Sequence, residues 1–391
     1  MQYFQGYKRP NGQVGIRNHV LIIAIDECAE GIAQAIKLKV PECVVVTNHY
    51  TCMYGGNEEM VNTMIGAALN PNVAAVLVLN MGCGSIDPAL VINPIKQAGK
   101  AVFNLSIIKS KGTRKTINEG VQLSNELVSI ASKIEPEPTP ISELVVGIKC
   151  GGSDTSSGIA SNPAVGNAVD QLVDIGATCI AGELIELITC EDILRERAVS
   201  GDVADKVETL IMQEERRWHI EGTNVETMSI GNSVGGLTTL EEKALGALHK
   251  TGTRPIQGVL EINHKGIQKP TNSGFYLSEA THLCGGSGMH FAALGAQVIL
   301  WTTGGAGFNN PIVPVIRVSG NLAQITDDID VDVSGIMSAQ QSVVEGGKAV
   351  FDCLIDVIQG EKTAIEDVGF AFCSLYQKDQ RLEKLICKES L

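Results

Sequence analysis

Val73-Ala74-Ala75-Val76-Leu77-Val78-Leu79 runs without a break into Asn80-Met81-Gly82-Cys83-Gly84, an apolar segment that ends in a glycine turn. A run that is apolar at every position, rather than at alternate ones, predicts a strand covered on both faces. The same pattern recurs at His19–Ile25, Cys43–Thr47, Ala101–Leu105 and Leu144–Ile148. Helix-like stretches such as Glu58–Leu69 and Thr116–Ile134 alternate with these runs. That alternation predicts an α/β chain of two Rossmann-like, doubly wound domains with mostly parallel sheets.

Further along, Ala177–Ala181 leads to Glu183, and Gln297–Trp301 leads to Thr302-Thr303-Gly304-Gly305-Ala306-Gly307, with Ile312–Val318 beyond. Leu194–Glu215 reads as a charged, solvated helix interrupted at Gly201. Prolines at every second position of Glu135-Pro136-Glu137-Pro138-Thr139-Pro140 cannot continue a helix. We therefore place a boundary there. Residues 1–138 form an N-terminal α/β domain with the first two cysteine loops, and 139–391 a C-terminal α/β catalytic domain.

Apolar residues at 44% and charged residues at 19% of 391 suit a well-buried globular enzyme. No run approaches the roughly 20 apolar residues that span a bilayer, and no apolar segment follows the first charges as a secretory signal requires. A cytoplasmic location is expected. The formal charge of −14 argues against nucleic acid and anionic membranes as partners. An anionic substrate then needs a local cluster of donors. Eleven cysteines at irregular spacing, with no Cys-x-x-Cys, resemble neither a disulfide framework nor a zinc ribbon. Cys28, Cys43, Cys179 and Cys353 read as small buried hydrophobes.

Three other cysteines occupy turns after strands: Cys52 in Asn48-His49-Tyr50-Thr51-Cys52-Met53-Tyr54-Gly55-Gly56, Cys83 in Gly82-Cys83-Gly84, and Cys150 in Lys149-Cys150-Gly151-Gly152-Ser153-Asp154. The carboxyl ends of strands in an open α/β sheet face the ligand crevice, so three thiols there can hold a metal ion.

These motifs, with Gly6-Tyr7-Lys8-Arg9, Val14-Gly15-Ile16-Arg17-Asn18, Asn162-Pro163-Ala164-Val165-Gly166, Gly231-Asn232 and Glu242-Lys243-Ala244-Leu245-Gly246, resemble the altronate and galactarate dehydratases. The same family includes the large subunit of sulfolactate sulfo-lyase. The resemblance runs from about Gly6 to about Gly369. It implies a hydro-lyase that removes water from a hydroxy-acid or sugar-acid anion by metal-assisted α,β-elimination. The alternatives are release of sulfite from sulfolactate, or a non-catalytic acid-binding subunit. Members that act alone resemble this chain with a small β-rich domain fused ahead of it. A separate small subunit is therefore expected as partner, together with homo-oligomerisation. Iron is implied as cofactor, either as a [4Fe–4S] cluster on Cys52, Cys83 and Cys150 with one iron open to substrate, or as mononuclear Fe²⁺ or Mn²⁺. The sulfo-lyase branch lacks the first two cysteines, and their presence places this chain nearer the hydro-lyases.

Roles for other residues follow from chemistry. Glu183 and Glu186 match acidic positions of the family and share a face at i, i+3 if helical; burial is expected to raise the pKa of such a carboxyl, which makes them candidates to move the proton. His49 is a second candidate and Tyr50 can orient the substrate. Gly151-Gly152-Ser153-Asp154 can form a backbone nest for a carboxylate, with Ser153 donating. Arg17 and Asn18 offer further donors to that anion, as do the Thr302-Thr303-Gly304 turn groups. Asp330 and Asp332 suggest a hard-cation site or, more commonly, a solvated loop. Where the hydro-lyases carry Arg in Thr-Thr-Gly-Arg-Gly and Lys in Gly-Asn-Lys, this chain has Gly305 and Ser233. Losing two cations favours a smaller or differently substituted acid. His282 and Cys284 are possible new pocket groups.

Overall fold

The computed structural model describes residues 3–50, 52, 58–220, 229–280, 283–305, 307–369 and 371–376. Strands β1 (Tyr3–Lys8) and β2 (Val14–Gly15) pair antiparallel. Next, β3 (His19–Ala24), β4 (Cys43–Thr47), β5 (Val73–Asn80) and β6 (Ala101–Ser106) form a four-stranded parallel sheet in the order β4-β3-β5-β6. The proline-rich stretch, β7 (Glu137–Pro140), returns antiparallel to β1. It sits at the edge of that small sheet, where proline's missing N–H costs least.

The second large sheet is built from β8 (Val145–Cys150), β9 (Thr178–Ala181) and β10 (Ile256–Leu260), then, after a hairpin of β11 (Ile262–Asn263) and β12 (Gly266–Ile267), from β13 (Gly274–Ser278), β14 (Val298–Thr302), β15 (Val315–Ser319) and β16 (Val331–Asp332). Its order is β10-β13-β9-β8-β14-β15-β16, and every pairing within it is parallel. The chain is thus mixed α/β with mostly parallel sheets. The strand expected from Ile312 begins only after Pro314, which has no N–H for the ladder. The charged segment is two helices, Glu191–Glu196 and Gly201–Ile220.

Period-two alternation explains the layers. Val20, Ile22 and Ala24 pack with Ile32, Ile36 and Leu127 on one side of the first sheet. Leu21, Ile23 and Ile25 pack on the other, with Met60, Met64, Val91 and Ile95. That inner cluster continues through Ala292 and Ala293 of the helix Cys284–Leu294 to Ile299 and Trp301 on the second sheet's inner face. Val146, Ile148, Val298 and Leu300 face outward to a third cluster. Asn72, wholly buried, ties the layers: its Oδ1 accepts from Ile16 N–H at 2.9 Å, and its Nδ2 donates to the Gln297 and Ile312 carbonyls at 2.9 and 3.1 Å. Asn70 donates to the carbonyls of Ala292 and Ala296. Among the described residues no helix is long and apolar enough to cross a membrane. Of the cysteines expected inside, Cys43 and Cys179 are buried and Cys353 is partly covered, but Cys28 is exposed in the 3₁₀ turn Glu27–Ala29.

His19 starts β3 with its ring partly covered, and burial pushes its imidazole from 6.5 down to about 4, against the attraction of Glu366 and with repulsion from Arg17 and Arg9. Between those values the unfolded chain binds a proton that the folded chain refuses, so this contribution to stability is complete above about pH 6.5 and declines as pH falls toward 4. The loss should reach at most about 3 kcal/mol. His19→Asn should flatten that slope, read as urea midpoints from pH 4 to 8; parallel slopes in parent and variant would refute it.

Candidate active site

The strand order of the second sheet reverses between β8 and β14, and Cys150 and Thr302 pair side by side at their carboxyl ends. A reversal of this kind is where open α/β sheets place ligands. Lys149 is almost wholly buried, and its ammonium donates to Glu183 Oε1 at 2.9 Å and to the Cys150 carbonyl at 2.7 Å. Glu183 Oε2 accepts the Cys150 N–H at 2.8 Å. Glu183 itself has φ 62°, a left-handed backbone that is uncommon for a residue with a side chain and clusters at functional sites. Its N–H reaches the Ala280 carbonyl at 3.0 Å, which helps to hold that geometry.

The second carboxylate, Glu186, lies in the 3₁₀ turn Leu184–Leu187. It is paired through Oε2 with buried Lys250, and its Oε1 is 4.0 Å from Lys243. The expectation of a carboxyl raised by burial is corrected here. Burial does push Glu186 upward, but Lys250 and Lys243 outweigh it, and the group falls from 4.5 to about 2. Lys250 and Lys149 are each held above the ordinary lysine value: burial acts to lower them, and Glu186 and Glu183 respectively overcome it. Burial, with Glu186 adding to it, pushes the Cys150 thiol up to about 12. Its sulfur is 3.0 Å from Ser153 Oγ. A buried pair with one partner removed leaves an uncompensated charge. Lys250→Met should therefore lower stability by about 3–5 kcal/mol, and adding Glu186→Gln should recover a large part of that loss. Chemical denaturation of the two variants and the parent checks this; additive losses would refute the pairing.

The turn after β8 is pinned from several sides. Gly151 N–H goes to the Thr302 carbonyl and Gly304 N–H to the Gly152 carbonyl, both at 2.7 Å. Asp154 accepts from Ser156 Oγ at 2.7 Å, from Ser157 N–H at 2.9 Å and from Asn321 Nδ2 at 2.7 Å. A Cβ on Gly304 would stand 2.3 Å from Asp154 Oδ2, so only glycine fits that approach. Asp154 is therefore a hub of the loop. With the Gly151 and Asp154 amides engaged, a backbone nest would rest on Gly152 and Ser153. Thr302 lends its carbonyl to this loop, and Thr303 folds its hydroxyl onto Gly305. Asn232, from the Gly231-Asn232 motif, donates to the Ser153 carbonyl at 2.8 Å.

Several expected site residues lie elsewhere. Arg17 and Asn18 precede β3, at the amino end of the first sheet rather than the carboxyl end where ligands bind. The Arg17 guanidinium is committed to Glu366 at 2.7 and 2.9 Å and to the Val357 and Glu361 carbonyls. Asn18 bridges Arg9 and the Ala131 carbonyl. Both are structural. His49 and Tyr50 are exposed after β4; the His49 ring is 3.7 Å from Glu30 and 3.2 Å from the Cys373 carbonyl. Asp330 is engaged with Arg317 and with the N–H groups of Arg317 and Ala364, while Asp332 accepts from Ser334 N–H.

The three cysteines of the expected metal set differ in their surroundings. Cys52 and Cys83 are exposed and Cys150 is buried. Among the described residues no three His, Cys, Asp or Glu side chains stand close enough to share an ion. The residues as described do not fit the cluster. Thr51, residues 53–57, His282 and Ala306 lie outside the described residues.

The sequence reading missed the cations. Lys149, Trp301 and Arg317 occupy one cross-strand row, in register on β8, β14 and β15. The Lys149 ammonium is 5.7 Å and the Arg317 guanidinium 6.0 Å from the Trp301 ring. Phe308 stacks edge-on to Trp301 at 5.2 Å, and Phe372 to Phe308 at the same distance. A lysine next to the end of an otherwise apolar strand was a readable signal. Nothing in His249-Lys250-Thr251 announced a buried partner for Glu186.

Comparison with known proteins places this arrangement in a class. Residues 6–132 match "D-galactarate dehydratase/Altronate hydrolase, second domain", and residues 141–380 match "D-galactarate/Altronate dehydratase, C-terminal". These are regions of carbon–oxygen lyases. The chain belongs to the D-galactarate/altronate dehydratase family. It is 33% identical to the (2R)-sulfolactate sulfo-lyase subunit beta of Chromohalobacter salexigens, over 96% of this chain and 98% of that one. It is 30% identical to the altronate dehydratase of Bacillus subtilis, over 81% of this chain and 65% of the other. The galactarate dehydratase (L-threo-forming) of Escherichia coli is 29% identical, over 93% of this chain and 74% of its own.

Proposed function

We propose that the chain is the large subunit of a two-subunit hydro-lyase that removes water from a hydroxy-acid anion. The observation that carries this is the gathering of Lys149, Lys243 and Lys250 around two carboxylates at the carboxyl end of β8, in a chain of net charge −14. Three cations against two anions is the local excess that an anionic substrate needs.

Lys243, the least buried of the three, receives the substrate carboxylate. Glu186 at a pKa of about 2 is a weak base while both lysines face it. A bound carboxylate draws Lys243 away and offsets the cationic field, which raises the proton affinity of Glu186 in the complex. Glu186 Oε1 then takes the α proton, the carbon–oxygen bond breaks as the double bond forms, and hydroxide leaves as water with that proton. Where the substrate keeps a second hydroxyl on the α carbon, the product is an enol, which relaxes to a 2-keto acid. Lys149 and Glu183 do not touch substrate in this scheme. They hold the Cys150 turn, and Gly152 and Ser153 supply donors to the anion. Iron enters only through the family resemblance, and no step here runs through it; anaerobic purification with iron and sulfide assays tests it, and iron-free protein of full activity removes it.

The sulfo-lyase reading has its own support, since the match to the sulfo-lyase subunit runs nearly the length of both chains. The word "subunit" in that relative's name also supports a separate small partner here. Homo-oligomerisation, a cytoplasmic location and the Rossmann-like double winding of both sheets belong to the same proposal.

Turnover of a panel of hydroxy acids and (2R)-sulfolactate, with a candidate small subunit and iron present, separates the readings by keto-acid and sulfite assays. Keto acid without sulfite is the expected result. Glu186→Gln should lower kcat at least about 100-fold, whereas Lys243→Met should chiefly raise KM, by about tenfold or more. Unchanged kcat in Glu186→Gln refutes the assigned base.

A further inference from the structure

The four-stranded sheet has a reversal of its own. Strand order turns between β3 and β5, and at their carboxyl ends a cavity of about 170 Å³ opens between Asp26, Asn80, Asp87, Asn104, Ser106 and Lys109. None of these residues belongs to the lysine–carboxylate cluster, so the inference is independent of the proposed reaction.

The polar groups are arranged with functions left over. Asp26 Oδ2 accepts from Met81 N–H at 2.8 Å. A Cβ on Gly84 would lie 1.8 Å from Asp26 Oδ1, so the glycine allows the chain to close tightly on that carboxylate. Asn80 uses its Nδ2 on Asn104 Oδ1 at 2.7 Å and on the Leu105 carbonyl at 3.2 Å, which leaves its Oδ1 as an acceptor. Asn104 keeps its Nδ2. Asp87 caps the helix Pro88–Gln97 through Ala89 N–H at 2.9 Å. Ser106 lines the cavity and is 6% exposed, and its hydroxyl, buried just behind the wall, has no hydrogen-bond partner. A buried hydroxyl left unpaired is a cost to the fold that a ligand can relieve.

We propose that this cavity binds a small uncharged polyol. Its hydroxyls donate to the Asp26 carboxylate and Asn80 Oδ1, and its oxygens accept from Ser106 Oγ and Asn104 Nδ2. Two carboxylates against one ammonium make the lining acidic, which disfavours the acid anions proposed for the other site. The cavity holds what about six waters would fill, the scale of a four- to six-carbon polyol.

Ligand-observed NMR titration of the full chain with erythritol, and separately with its acid erythronate, tests this. Erythritol should bind, with erythronate at least tenfold weaker. Ser106→Ala should weaken erythritol at least fivefold while leaving the unfolding midpoint unchanged or higher, because the removed hydroxyl bonds nothing. Asn104→Ala, at an exposed position, should weaken it as well and guards against a folding artefact. No erythritol binding, equal affinity for the acid, or parental affinity in both variants overturns the proposal. None of these readouts involves turnover, so a failed elimination assay leaves them intact.

Discussion

A lysine and a glutamate taken out of water at the end of a central strand are what the rest of this site is arranged around. Lys149 and Glu183 are each nearly inaccessible, and either alone would be an uncompensated charge. Their pairing lets β8 carry a charged residue just before its end, and Glu183 in turn fixes the Cys150 amide of the cysteine turn. The left-handed backbone of Glu183 persists because that carboxylate is held at both oxygens. The glycine turn, the Asp154 hub and the Asn232 brace extend from this anchor.

The second pair works differently. Glu186 has two lysines within reach, one buried and one partly open. An ion pair with a spare cation is poised to accept an anion, because the spare charge can be shared without leaving either carboxylate bare. Electrostatic preorganisation of this kind is the usual way a buried site meets charge that develops during reaction.

The fold was legible because apolar runs and their spacing are local properties. β4 and the helix Glu58–Leu69 fall where the pattern of apolar residues places them. Site geometry was legible only where it coincided with a strand end. Cys150, Ser153, Glu183 and Glu186 come together, because two neighbouring parallel strands deliver them to the same edge. Arg17 failed for a directional reason: it lies before a strand, and a parallel sheet sends its two ends to opposite rims. Glu186 as a raised carboxyl failed because burial and countercharge push in opposite directions, and a sequence does not show Lys250, 64 residues away, as its partner.

The edge-on stack of Phe372 on Phe308, and of Phe308 on Trp301, ties the last described segment of the chain to the residue beneath Lys149. A change that loosens Phe372 from Phe308 therefore reaches the Trp301 ring one step further in. Pulling that aromatic ladder loose would change the indole's surroundings, and with them both its emission colour and the comfort of the cation above it.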